Sequence, residues 1–86
     1  MTYDVHLSRS AYSFLKRLEK RYRIRIIKKL NLLSKNPYVK GAKKILGRNE
    51  KLLRIRVGHY RILYEILEKE EVVLIIKIDK RSRAYK

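Results

Sequence analysis

The sequence has no cysteine in its 86 residues, which excludes disulfides and thiolate metal sites as sources of stability. A chain of this length buries only about 60% of the surface it exposes when unfolded. One thin hydrophobic core, made by packing helices on a sheet, must therefore hold the fold, and a reducing, intracellular compartment suits such a composition. Long apolar runs are also missing. The longest uninterrupted aliphatic stretch is Val72 to Ile76, far short of the roughly 20 residues that cross a bilayer as a helix. The start, Met1-Thr2-Tyr3-Asp4-Val5-His6-Leu7, has neither a basic n-region nor an apolar h-region, so a cytoplasmic protein is expected. No low-complexity segment, Gly/Ser linker or internal repeat divides the chain, and residues 1–86 read as a single domain.

Negative charge is scarce. Eight Asp plus Glu stand against 24 Lys plus Arg, a formal net charge of +16. Self-repulsion of that size opposes compaction, and a polyanion relieves it, because each phosphate neutralised by Lys or Arg also releases condensed counterions. Nucleic acid is the leading partner class, with an acidic protein competing for the same surface as the second. Binding to a membrane surface would need an exposed apolar helix face, and here those faces are required for the core. The eight carboxylates show no paired acid/base spacing and no His/Asp/Glu cluster suggests a metal, so no cofactor is expected.

What is present is patterned. Residues 2–7 alternate as a short strand, with Tyr3, Val5 and Leu7 on one side and Asp4 and His6 on the other. Ser8 or Ser10 then supplies a helix N-cap. Ala11, Phe14, Leu15, Leu18 and Tyr22 recur at helical spacing, and Ile26, Ile27, Leu30 and Leu33 repeat it, giving two amphipathic helices or one bent helix. Their outer faces carry Lys16, Arg17, Lys20, Arg21, Arg23, Arg25, Lys28 and Lys29, too many like charges for helices without a counter-anion. Asn36-Pro37 ends the helical section, since the residue before proline is pushed out of helical conformation. A loop leads to a strand around Lys44 to Leu46, then to three strands over Lys51 to Val57, Tyr60 to Glu68 and Val72 to Asp79, all rich in Ile, Leu, Val and Tyr. The class is α+β, of order βααββββ: an antiparallel sheet of about four strands packed on two N-terminal helices.

The chemistry concentrates in one hairpin. Gly58-His59 suits a two-residue turn with glycine in the first central place, as a type II′ turn requires. That turn sets Val57 opposite Tyr60, Arg56 opposite Arg61, Ile55 opposite Ile62 and Arg54 opposite Leu63. Alternation then sends Ile55, Val57, Tyr60 and Ile62 to one face and Arg54, Arg56 and Arg61 to the other. Like charges directly opposed are destabilising, and a phosphate gripped by planar guanidinium forks offsets them. On the last strand, Val72, Leu74, Ile76 and Ile78 read as the apolar face. Matching it to the previous strand needs an odd loop, for instance Lys69-Glu70-Glu71, or a bulge. Asp79 then falls opposite Arg61, either orienting it or serving as a strand-end charge, and Arg81 lies one pair further along the same surface. Tyr85, between the cations of the terminal stretch, suits a phosphodiester: positive neighbours stabilise phenolate and the ring can stack on a base. A frayed basic tail is the alternative. His59 reads as a hairpin-tip residue.

The run Leu53-Arg54-Ile55-Arg56-Val57-Gly58-His59-Tyr60-Arg61-Ile62-Leu63-Tyr64-Glu65, followed by Val72 to Ile78 and by Lys80-Arg81-Ser82-Arg83-Ala84-Tyr85, resembles the RelE/ParE toxin superfamily along the whole chain. The resemblance implies that family's βααβββ core. Its RelE branch implies a metal-independent endoribonuclease, or mRNA interferase, that cuts mRNA in the ribosomal A site and inhibits translation. By motif position Arg61 and Arg81 match the arginines at the scissile phosphate and leaving group, Tyr85 matches the terminal tyrosine, and Arg54 and Arg56 match basic positions that are often lysine. Guanidinium is not appreciably deprotonated in proteins, so Tyr85 is the first candidate for proton acceptor. Arg54 and Arg56, with Lys43, Lys44, Lys51, Lys77 and Arg83, are the expected RNA contacts. The resemblance also implies an acidic RelB-like antitoxin in a toxin-antitoxin hetero-oligomer. Arg61, Arg81 and Tyr85 together favour the RelE branch; a ParE-like DNA gyrase inhibitor and a noncatalytic RNA-binding protein are the alternatives.

Overall fold

Ser8 turns the first strand into the first helix. Its side chain accepts from the Ala11 amide at 3.0 Å, which caps the helix. Its hydroxyl also donates to the Ile76 carbonyl at 2.7 Å, and its amide donates to Ile75 at 2.9 Å. One residue thus starts a helix and fastens it to the last strand. The computed structural model describes residues 2–44 and 52–80. In chain order they form β1 (Asp4–Leu7), α1 (Arg9–Arg17), α2 (Lys20–Lys35), β2 (Lys43–Lys44), β3 (Leu52–Val57), β4 (Tyr60–Leu67) and β5 (Val72–Lys80).

The two helices are separate. The chain leaves helical conformation at Leu18, and Arg23 donates to the Leu18 carbonyl at 3.2 Å, placing a cation where the end of α1 is negative. Asn36 ends α2 as Pro37 requires, and its side chain accepts from the Tyr38 amide. Ala11 and Leu15 of α1 and Ile26, Leu30 and Leu33 of α2 pack against Ile55, Val57, Ile62, Tyr64, Val73, Ile75 and Ile78 of the sheet. Ile27, expected in this core, is 40% exposed, because Ile26, Leu30 and Leu33 already fill the stripe that faces the sheet.

The sheet has five strands in the order β1-β5-β4-β3-β2. Strands β2 to β5 are antiparallel neighbours, as expected, whereas β1 pairs in parallel with β5. A parallel neighbour needs a long crossover connection, and the two helices between β1 and the rest of the sheet provide one. The connection from β4 to β5 comprises four residues, 68–71, with Glu71 at a φ of 56°. Faces are matched instead by a bulge: Leu63 opposes Lys77 while Tyr64 opposes Ile75, so Ile76 is the extra residue. The bulge corrects the expected apolar face of β5. Val73, Ile75 and Ile78 face the core; of the expected set Ile78 belongs to that cluster and Val72 is buried outside it.

Tyr64 is the largest fully buried side chain, and its hydroxyl donates to the Pro37 carbonyl at 2.9 Å, tying β4 to the end of α2. Burial pushes its phenol up to about 12. A raised folded-state value means that the folded protein holds this proton more tightly than the unfolded chain. Its contribution is therefore complete below the unfolded value of 10.0 and is lost as pH rises through about 12. Tyr64→Phe is expected to cost about 1–2 kcal/mol at neutral pH, by leaving a buried carbonyl without its donor. It should also flatten the stability loss in the alkaline window relative to the parent, and denaturant titrations at neutral pH and at several alkaline values check both.

Candidate functional site

Gly58 has a φ of 60° and His59 does not have positive φ, so glycine alone takes the left-handed place in the two-residue turn between β3 and β4. The register follows from that turn. Val57 opposes Tyr60, Arg56 opposes Arg61, Ile55 opposes Ile62 and Arg54 opposes Leu63, each as expected. Ile55, Val57 and Ile62 are buried, while Arg54 and Arg61 are half-buried and Arg56 is exposed. Pairing extends the arginine face at both sides. Lys43 of β2 opposes Arg54, and Lys77 and Asp79 of β5 oppose Leu63 and Arg61. Directly paired residues point to the same side of a sheet. Three strands thus bring Arg54, Arg56, Arg61 and Lys77 to one surface, with Lys43 at its edge.

Asp79 supplies a counter-charge from within the protein. Its carboxylate accepts from Arg61 Nε at 2.9 Å and from Nη2 at 2.8 Å, a bidentate pair in which both side chains are about four-fifths buried. Asp79 orients Arg61, the first of the two readings open for it. Arg61 stands between Arg56 on one neighbouring strand and Asp79 on the other, which relieves part of the like-charge repulsion. Asp4, Glu65, Glu68, Glu70 and Glu71 all lie toward the loop between β4 and β5. Among the described residues the hairpin end of the face therefore keeps a positive excess.

The helices add cations that the sequence placed on a solvent face. Arg25 and Lys29 stand one turn apart on α2, flanking the Ile26, Leu30 and Leu33 stripe. The Arg25 guanidinium overhangs the hairpin tip, where a Cβ on Gly58 would lie 3.6 Å from its Nη2. Around this corner Phe14 packs edge to face with Tyr60, ring centroids 6.0 Å apart, and Tyr22 lies tilted against Tyr60 at 5.6 Å. Lys29 lines a cavity with Lys40, Gly41, Lys43, Arg54, Ile55 and Arg56. Lys44 goes elsewhere: it pairs with Leu53, a core-side position, and lines a different cavity with Tyr38, Leu53 and Ile66. His6 lies on β1, beyond β5 and β4 from β3, and His59 is exposed at the turn. Lys51, Arg81, Arg83 and Tyr85 lie outside the described residues.

Residues 5–85 match the family model for the ParE toxin of the type II toxin-antitoxin system parDE. The chain belongs to the RelE/ParE toxin superfamily. It is the toxin of a type II toxin-antitoxin system of RelE/ParE type. A RelE-like toxin protein of Escherichia coli is 23% identical over 84 residues, 98% of this chain and 88% of that one. Among solved structures, the toxin-antitoxin complex RelBE2 from Mycobacterium tuberculosis superposes with a TM-score of 0.83 at 26% identity, over 94% of this chain and 93% of that chain. The archaeal RelE–RelB complex from Pyrococcus horikoshii OT3 gives 0.79 at 27% identity, over 96% and 99%. The toxin thus shares the two helices on a mixed sheet with RelE proteins, and its arginine hairpin lies within the matched region.

Proposed function

We propose that the toxin is a ribosome-dependent endoribonuclease that cuts mRNA in the ribosomal A site, without a metal, and so inhibits translation in the cytoplasm. The observation that carries this reading is the convergence of Arg54, Arg56 and Arg61 on one sheet face, with Arg61 held bidentately by Asp79. In the reaction the ribose 2′-oxygen attacks the adjacent phosphorus as its proton leaves. The bond from phosphorus to the 5′-oxygen breaks, that oxygen takes up a proton, and a 2′,3′-cyclic phosphate and a 5′-hydroxyl result. The protein's part is orientation, stabilisation of charge on the phosphoryl oxygens and proton transfer. Arg61 is the best-placed described residue for the phosphoryl oxygens. Arg54 and Arg56 grip the backbone; by motif position Arg81 is assigned to the leaving group and Tyr85 to accepting the proton.

A second reading has its own support, since the family model that matches is that of the ParE toxin, and a ParE-like toxin would inhibit DNA gyrase without chemistry of its own. Purified toxin added in parallel to a programmed translation reaction and to a gyrase supercoiling reaction separates the two. New mRNA 5′ ends, with cyclic phosphate on the upstream fragments and supercoiling intact, are the expected result. Inhibited supercoiling with intact mRNA would replace the nuclease by the gyrase poison. RNA retention without new ends in either reaction would leave a noncatalytic binder.

The partner of the toxin is an acidic RelB-like antitoxin, in a hetero-oligomer. Support comes from the net charge of +16 and from relatives whose structures are toxin-antitoxin complexes. A disordered acidic chain folding onto the basic surface loses affinity as salt screens the contact.

A further inference from the structure

The pairing between β2 and β3 stops at Lys43 opposite Arg54, so the Ile55 to Val57 stretch of β3 has no strand on its outer side among the described residues. Gly41, at a φ of 100°, turns the chain just before this point and holds Lys40 beside the strand edge. From the other side α2 brings Lys29. The result is a cavity of about 220 Å³ bounded by Lys29, Lys40, Lys43, Arg54 and Arg56, with Gly41 and Ile55 completing the wall. Among the described residues no carboxylate lines it.

Lys29, Lys40, Lys43 and Arg54, brought by a helix, a loop and two strands to one opening, are a costly arrangement. Lys29 and Arg54 are half-buried, so water screens them less than it would on an open face. The Arg61 ion pair does not relieve them, because Asp79 is on the far side of β4 from this edge. A solvated lysine face has no such geometry: it spreads its charges outward, whereas these close on a common space.

We propose that this edge of β3 is a second phosphate-binding subsite, which holds a backbone phosphodiester of the RNA other than the one that is cut. The assignment rests on RNA being the toxin's ligand, and adds Lys29 and Lys40 as residues that position the strand. Arg54 and Arg56 belong to both sites. They bridge the subsite to Arg61 across the β3 and β4 pair, so a strand anchored at the edge would present its neighbouring phosphate to Arg61. Lys29 and Lys40 act on binding and register and take no part in proton transfer.

The test uses the full chain and a single-stranded RNA made uncleavable by a 2′-deoxy sugar at the cut position. Affinity is measured across a salt series for the parent, for Lys29→Ala/Lys40→Ala, and for Lys35→Ala/Lys69→Ala, which removes equal charge nearer the loop between β4 and β5. The subsite variant should bind about tenfold more weakly, and its slope of log affinity on log salt should be shallower by about 0.7, the value for one single-strand phosphate. In cleavage on programmed ribosomes it should raise KM and leave the rate at saturation within about twofold. An unchanged slope, or a loss equal to that of the distal pair, would overturn the subsite. Loss of affinity and slope in a toxin that never cuts RNA would leave the subsite standing and remove the nuclease.

Discussion

Arg61→Ala is expected to lower the rate of mRNA cleavage about 10²- to 10³-fold, the usual effect of removing one preorganised donor to a developing charge. RNA affinity should fall much less, because Arg54, Arg56 and the other cations around them still meet the backbone. Two companion variants separate charge from geometry. Arg61→Lys keeps the charge but replaces a planar fork with a point charge, so it should bind RNA almost normally and cut nearly as poorly as the alanine variant. Asp79→Asn keeps the shape and loses the carboxylate that fixes Nε and Nη2 of Arg61. It should cut about tenfold more slowly, as expected when a reacting group is held less well, and lose about 1–2 kcal/mol of stability with its partly buried pair. Single-turnover cleavage alongside equilibrium RNA binding reads all three. Cleavage by Arg61→Ala at the parent rate would remove Arg61 from the reaction.

These effects depend on a hairpin whose register was legible residue by residue. A two-residue turn with glycine first admits one pairing, and Gly58 fixes all of it. Parity then assigns the faces, since Arg54 and Arg56 alternate with Ile55 and Val57. The opposition of Arg61 and Asp79 was equally available once a bulge was allowed, but whether they bond was not, because that needs the distance across β4 and β5.

Where the pattern failed, it lacked alternation or lacked local cause. The run Val72 to Ile76 is apolar at every position, so neither parity is marked, and the carbonyl of the bulged Ile76 accepts from Ser8, 68 residues away in the chain. The parallel pairing of β1 with β5 likewise joins the two ends of the fold and leaves no trace in either segment. Helical spacing admits a broad stripe that includes Ile27, while the sheet has room for Ile26, Leu30 and Leu33. Lys29 shows the same limit in reverse, half-buried where helical spacing gives an outer-face charge, while Arg25 is exposed as expected. The spacing of four that sets Arg25 and Lys29 along one flank of the buried stripe makes a ridge that runs beside β3.

The same thin core that positions the arginines makes the fold sensitive to a single truncation. Ile62 is fully buried between Ile55 and Ile78 on the face opposite Arg61, and Ile62→Ala should cost about 2–5 kcal/mol through lost burial and the cavity left behind. Total stability of a small domain is about 5–15 kcal/mol, and with self-repulsion from a net charge of +16 this one belongs toward the lower end. The variant should therefore show a large drop in denaturation midpoint with little change in slope, as fits a weakened but intact fold. Charge then offers a way back. An anion that binds the folded toxin and not the unfolded chain adds about 2.7 kcal/mol at a hundredfold excess over its Kd. Uncleavable RNA at that concentration should recover much of the lost midpoint, in low salt more than in high. If RNA left the midpoint of Ile62→Ala where it was, the cations would bind equally well without the fold, and the sheet would not be what gathers them.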